Sequence, residues 1–260
     1  MTRRAPTRSV AAALVATAPA AHAGRSCETQ TPLATAVERS MTLAQHTAQA
    51  LDASGATVVV LARVGQDLSK YGVTWSHLGL AYKDGAQWRV AHKLNQCGTA
   101  QAAVYRQGLG EFFLDDLHDY RAGLVVLAPA LQDELLPLLR DNRRLAQLHT
   151  PAYNMVAYPW SQRYQQSNQW ALETLASAHD PSAATRPQAQ AWLQAQGYEP
   201  TTLRLGALTR LGARVTAANV AFDDHPNEKR FTDRIETVTV DSVFAWLNRS
   251  GLGEPVRVIR

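Results

Sequence analysis

Two histidines and one distant serine are the residue types in this chain from which a proton-transfer site could be assembled. The first histidine sits in Trp75-Ser76-His77-Leu78-Gly79-Leu80-Ala81-Tyr82 and the second closes Gln87-Trp88-Arg89-Val90-Ala91-His92, with Lys83-Asp84-Gly85-Ala86 between them. Asp-Gly between two apolar runs predicts a β-hairpin, because both central positions of the favoured turn need positive φ. With Asp84-Gly85 as the two-residue loop, His77 falls directly opposite His92, and their Cβ atoms stand roughly 4.5–5.5 Å apart. Gly79, Ala81, Trp88 and Val90 share that face, so two imidazoles emerge from an otherwise apolar surface.

Far downstream, Gln166-Ser167-Asn168-Gln169-Trp170 opens an apolar helical pattern. A nucleophile at a helix N-terminus feels the positive end of the macrodipole and nearby backbone N–H groups that can bind a developing oxyanion. In that arrangement His77 serves as general base and acid, and His92 orients its ring and fixes the tautomer. Serine gains less from the helix than cysteine would, because a hydroxyl ionises far less readily than a thiol, so Ser167 would depend on His77 to take its proton. Each residue also has a plainer role: Ser167 as an N-cap worth about 1 kcal/mol, and the histidines as core side chains satisfied by each other or by backbone carbonyls. Asn168, Gln169, Tyr158 and Tyr164 are the candidates to line a polar, substrate-binding cleft beside Ser167.

The elements that must position these groups follow from periodicity. Thr35 to Ala53 reads as a helix, Thr57 to Val64 as a β-branched strand, then the hairpin. Gln101 to Arg106 fits a short strand or a helical turn, and Gly108 to Asp119 a loop. Ala122 to Leu127 is an apolar strand, and Pro129 to Leu148 a helix that Pro137 should kink or split. Tyr153 to Tyr158 reads as a strand, the Ser167 segment as a helix to about Ala178, and Gln188 to Gln196 as a helix ended by Gly197. Strands are expected near Arg214 to Phe222 and Ile235 to Val240, with Asp241-Ser242 capping a last helix through Leu247. Helices and strands interleave without a βαβ rhythm or a Gly-rich phosphate loop, so the expected class is α+β rather than a doubly wound sheet.

Arg3, Arg4 and Arg8, an apolar stretch from Val10 to Ala20, and Ala21-His22-Ala23 read as a secretory signal peptide over residues 1–23. That stretch is too short for a bilayer span of roughly 20 apolar residues, and no membrane-spanning segment is expected in the mature chain. Thr2-Arg3-Arg4 is followed by Ala5-Pro6 rather than a bulky apolar residue, so general secretion is expected, with a periplasmic or secreted product. Losing the leader's three arginines lowers the formal net charge from +4 to +1, which removes the case for a nucleic-acid partner. Residues 24–260, with 46% hydrophobic content over the whole chain, suffice for a single α+β domain with a C-terminal extension. Cys27 and Cys97 are the only cysteines, an even number in an oxidising compartment, and a disulfide between them is expected. The rival role for Cys97, as a nucleophile beside His92, is disfavoured by strand alternation and loop context. Asp115, Asp116, His118 and Asp119, and again Asp223, Asp224 and His225, have donor types that hold divalent ions. Ordinary loops suit both clusters better, so no metal site and no cofactor are assigned, and a metal-dependent hydrolase stays a lesser alternative that requires the clusters to meet.

Two resemblances emerge from these residues. Trp88-Arg89-Val90-Ala91-His92 and Tyr164-Gln165-Gln166-Ser167-Asn168-Gln169-Trp170 resemble segments of a bacterial family of exported proteins of unknown function, over about Thr57 to Trp246. More distantly, the motif order is similar to circularly permuted papain-like proteins of the NlpC type. His77-Leu78-Gly79-Leu80 takes the place of their catalytic-histidine strand, His92 of the polar residue on the neighbouring strand, and Gln166-Ser167-Asn168-Gln169-Trp170 of their Asn-Cys-x-x-Phe-like helix start. This resemblance implies a permuted papain-like core with a mixed or antiparallel sheet flanked by helices. It also implies an exported hydrolase or acyl-transfer protein acting on amide or ester bonds of a cell-envelope peptide, glycan or lipid. Ser167 stands where the nucleophilic cysteine is expected, and the alternative is a non-catalytic envelope-binding protein that keeps a degenerate cleft.

Overall fold

The computed structural model describes residues 31–115 and 117–260; the leader segment 1–23, Cys27 and Asp116 lie outside the described residues. In chain order the elements are α1 (Ala34–Ala53), β1 (Val58–Val64), β2 (His77–Asp84), β3 (Gln87–Asn95), β4 (Ala102–Gly108), α2 (Leu109–Phe113), β5 (Asp119–Val126), α3 (Pro129–Arg140), α4 (Asn142–Ala146), α5 (Ser167–His179), α6 (Arg186–Ala195), β6 (Thr201–Arg204), α7 (Ala207–Thr216), α8 (Asn227–Arg230), β7 (Arg234–Thr237), α9 (Val240–Arg249) and β8 (Arg257–Ile259). Six strands form one antiparallel sheet in the order β4-β3-β2-β1-β5-β8, and β6 and β7 pair in a small second sheet. The class is α+β.

Both faces of the large sheet are covered, which is why β1 reads Val-Val-Val-Leu-Ala-Arg-Val and is buried throughout. Val59 and Leu61 face a core under α1 and α2 that includes Leu43, Leu51, Phe112 and Phe113. Val58, Val60 and Ala62 face a larger core with Leu78, Leu80, Leu135, Trp170, Leu175 and Trp246. Helix α5 is buried on nearly every side, and such a helix belongs in the centre of a fold rather than on its surface. A third, smaller core of Val73, Leu203, Leu205, Phe222 and Ile235 holds the β6-β7 sheet beside the main one.

Several elements differ from their sequence-based expectation. The break after α3 comes at Asp141, whose side chain caps α4, while Pro137 stays inside α3. Tyr153 to Tyr158 is not a strand: Asn154 substitutes for a strand neighbour by accepting from Ala221 N at 3.1 Å and donating to Ala221 O at 2.9 Å. The first part of Arg214 to Phe222 is the end of α7, whose Leu208, Leu211 and Val215 have helical spacing. Segment 108–119, expected as loop, contains α2. Thr239 is the N-cap of α9 and Ser242 of the expected pair closes a capping box with it, whereas Asp241 instead accepts from the backbone N–H groups of Thr74 and Trp75. The last residues return to the large sheet as β8, beside β5.

Candidate functional site

The hairpin pairs two residues out of the expected register. Asp84 pairs with Gln87 and Leu80 with Ala91, so Gly85-Ala86 is the loop, with Gly85 at φ +60°. Gly85 takes the positive φ as the first of the two loop residues, so the turn is centred on Gly85-Ala86 and not on the Asp84-Gly85 pair. A two-residue shift preserves the faces. Carried one step beyond Leu80 and Ala91, it puts His92 across from Gly79, with His77 diagonal to it. A Cβ on residue 79 would stand 2.5 Å from Val90 Cγ1 and 3.1 Å from His92 Cβ. The missing side chain therefore makes room for the second imidazole, and the histidines meet by diagonal contact.

Their contact is a hydrogen-bonded chain. His77 Nε2 lies 2.9 Å from His92 Nδ1, and His92 Nε2 lies 2.7 Å from Gln107 Oε1. An amide oxygen can only accept, so His92 must donate from Nε2, which leaves its Nδ1 as an acceptor. His77 must then donate from Nε2, and its Nδ1 keeps a lone pair. Gln107 thus sets the tautomer of a base two residues away in the chain of contacts. Phe112 packs on both rings, at 6.0 Å from His77 and 5.2 Å from His92 between centroids. Arg63, buried on the same face, bonds Phe112 O and Asp115. Burial first, then the Arg63 guanidinium, holds His77 well below the usual imidazole range and His92 down to about 3. Both rings are neutral at pH 7.

Ser167 reaches the same place from the opposite side. It is the first residue of α5, and the cap is Gln166, whose side-chain oxygen accepts from Asn168 N at 3.3 Å. The capping role expected of Ser167 is therefore filled by its neighbour. Burial pushes the Tyr153 phenol up, and the neighbouring Ser167 hydroxyl opposes that shift. Helix α5 covers the face of the sheet that the histidines do not, and the two meet at the start of β2. There Asn168 Oδ1 accepts from Leu78 N at 3.1 Å. His77, Ser167, Asn168, Gln166 and Tyr153 border one cavity of about 240 Å³, whose other walls are mostly apolar, among them Val73, Met155, Leu205 and Phe222. Among the described residues the hydrogen bond of the His77 ring goes to His92, not to Ser167.

The remaining expected residues are placed elsewhere. Gln169 is buried and donates to Pro159 O at 3.0 Å and Glu173 Oε1 at 3.2 Å, so it holds the loop that leads into α5. Tyr158 stacks near His225 at 5.3 Å, and Tyr164 lies beside Arg163; neither borders the cavity. Cys97 follows β3, away from the cavity lining. The two acidic clusters do not meet. Asp115 pairs with Arg63 and Asp119 with Arg121, while Asp223 pairs with Arg163 and Asp224 with His225. Among the described residues no three His, Cys, Asp or Glu side chains gather as a metal site would require. Likewise, among them no helix is long and apolar enough to cross a membrane.

Sequence reasoning missed Gln107, Arg63 and Tyr153. Arg63 carried a signal, as the one charge in an otherwise apolar strand, whereas Gln107 lay just past the Gln101–Arg106 segment, which itself fitted a short strand or a helical turn. Also unforeseen was the buried network behind α5. Glu173 accepts from Arg186 Nε at 2.9 Å, Gln190 at 2.7 Å and Gln165 at 2.5 Å. Arg186 also donates to the carbonyls of Ser161, Gln162 and Tyr164, which fixes the segment leading to Ser167.

Residues 50–247 match a family described as an uncharacterized protein conserved in bacteria, DUF2145. No curated protein and no solved structure matches the chain.

Proposed function

The chain belongs to the DUF2145 family of uncharacterized bacterial proteins, and from that premise we propose that it is an exported hydrolase or acyl-transfer protein acting on amide or ester bonds, with Ser167 as nucleophile and His77 as its base. The supporting observation is the Gln107–His92–His77 chain, which leaves a lone pair on the Nδ1 of an imidazole bordering the cavity that Ser167 also borders. In this reading a substrate acyl group enters the apolar cavity, and its carbonyl approaches the first turn of α5. Ser167 Oγ attacks the carbonyl carbon as its proton passes to His77 Nδ1, and the oxyanion is met by N–H groups of the first turn. His77 then returns the proton to the leaving amine or alkoxide, and water hydrolyses the ester by the reverse route. Ser167 must first turn its hydroxyl toward His77, a reorientation within the cavity that both residues border.

This reading carries with it the permuted papain-like core, a leader over residues 1–23, delivery to the cell envelope and a Cys27–Cys97 disulfide. Intact-mass analysis of the exported protein without reductant tests the leader and the disulfide: cleavage after Ala23 and two fewer hydrogens than the dithiol are expected.

Two observations favour a second reading, a cleft that binds an envelope ligand without turning it over. Burial and then the Arg63 guanidinium disfavour the imidazolium that general-base catalysis must form, and the His77 ring is hydrogen-bonded to His92 rather than to Ser167. Treatment with a fluorophosphonate, followed by peptide mass spectrometry, separates the two. Labelling of Ser167 that disappears in His77→Ala supports the acyl-transfer reading. An unlabelled Ser167 in folded protein refutes it and leaves the binding reading.

A further inference from the structure

Amphipathic helices of globular proteins turn their apolar face to the core, and α7 does the reverse. Thr209, Arg210 and Ala213 face the cavity, whereas Leu208, Leu211 and Val215, one stripe at i, i+3 and i+7, are 85%, 61% and 79% exposed. Phe231 is also exposed, at 75%, and its segment lies close to α7, where Arg210 Nη1 donates to the carbonyl of the preceding residue, Arg230, at 2.5 Å. Residues 201–222 contain Arg204, Arg210 and Arg214 and no Asp or Glu. Arg204 and Arg214 are exposed, and helical spacing puts Arg214 at the border of the Leu-Leu-Val stripe. The loop around Phe231 is balanced, with Glu228 and Asp233 against Arg230 and Arg234 and with Lys229 paired to Glu236. The net charge of the patch is thus that of the arginines.

We infer that α7 and Phe231 form a membrane-docking face that lies in the interface of an anionic lipid bilayer. An apolar stripe on a short helix, bordered by arginine and with an exposed phenylalanine on a nearby segment, matches the physics of an interfacial helix: the apolar side chains enter the acyl boundary while the guanidinium groups stay among the headgroups. Docking would also bring the lipid surface up to the helix that walls the cavity, although the inference does not require Ser167 to be catalytic.

The test is co-sedimentation of the full chain with sucrose-loaded vesicles of phosphatidylcholine alone or with 30% phosphatidylglycerol. Binding to the anionic vesicles, at least tenfold weaker to the neutral ones and weakened by added salt, is expected. Leu208→Ser/Leu211→Ser/Val215→Ser should lower the partition coefficient at least tenfold. Arg214→Glu, a single surface change that leaves the stripe intact, should lower it about thirtyfold, at about 1 kcal/mol per unit of charge changed. Ser167→Ala should bind as the unaltered chain does, whichever way the catalytic reading falls. No sedimentation with either vesicle, equal binding to both, or Arg214→Glu binding undiminished would each overturn the inference. A concentration-dependent dimer that the triple substitution abolishes would overturn it as well, by assigning the face to a second copy of the chain.

Discussion

Replacing Ser167 by cysteine converts the proposed nucleophile into a group whose proton can be titrated. Residue 167 opens a 13-residue helix, and a charge at such a terminus is stabilised by about 0.3–1 kcal/mol when exposed and up to about 2 when partly buried. At 1.36 kcal/mol per unit, the helix alone lowers a thiol from about 8.5 by roughly 0.2–1.5 units. Transfer of the thiol proton to His77 Nδ1 adds an opposite charge nearby, an effect of about 1–3 units. Burial works against both, since residue 167 is only 6% exposed, and so does Arg63, which opposes the imidazolium. The balance puts the Ser167→Cys thiol between about 5 and 7.5, and His77→Ala in the same background should raise it by at least one unit. The assay is the rate of iodoacetamide alkylation at residue 167 from pH 4 to 10, followed by peptide mass spectrometry. An inflection at or above 8.5, or one that ignores His77, would refute the reasoning.

Three further outcomes follow from the same geometry. Gly79→Ala sets a methyl group against Val90 and His92, and it should cost about 1–3 kcal/mol as overpacking; a urea midpoint equal to that of the unaltered chain would contradict the diagonal packing. His92, at about 3 in the folded chain against 6.5 when solvated, makes stability fall with acid. Below about pH 6.5 the unfolded chain takes up a proton that the folded chain refuses until about pH 3, which costs at most about 5 kcal/mol across the window. Urea midpoints should therefore drop from pH 7.5 to 4.5 and drop less in His92→Gln; equal slopes in the two proteins would count against it. Glu173→Ala strands the buried Arg186 guanidinium and should destabilise by about 3–5 kcal/mol, read as a fall in thermal midpoint, whereas an unchanged midpoint would show that Arg186 finds another partner.

The parts of this fold that were legible in the sequence are those where one periodicity dominates. β1 is a β-branched run, α5 an apolar helix stopped by Asp180-Pro181, and both stand where their patterns put them. The histidine pairing was also legible, although for a different reason than register: Asp84-Gly85 put the loop two residues early, and only parity kept both rings on one face. What failed were segments organised by side chains from distant parts of the chain. Tyr153 to Tyr158 has the residues of a strand, yet the side chains of Asn154 and Asp224 accept from its backbone, at Val156 N and Tyr158 N. Val215 at the end of α7 suggested a strand because its helical partners, Leu208 and Leu211, face outward rather than into a core. In the site, residue types announced His77, His92 and Ser167, but the role of Gln107 depends on which strand β3 pairs with, and that is a property of the sheet order.

The central claim is that Gln107 and His92 fix His77 as a neutral imidazole with its proton on Nε2 and a lone pair on Nδ1. Long-range ¹⁵N–¹H correlation of histidine-labelled protein at pH 7 measures this directly. The account predicts both His77 and His92 as neutral Nε2–H tautomers, with Gln107→Leu releasing His92 to a tautomer mixture. A His77 protonated at Nδ1, or an imidazolium at either position, would contradict it.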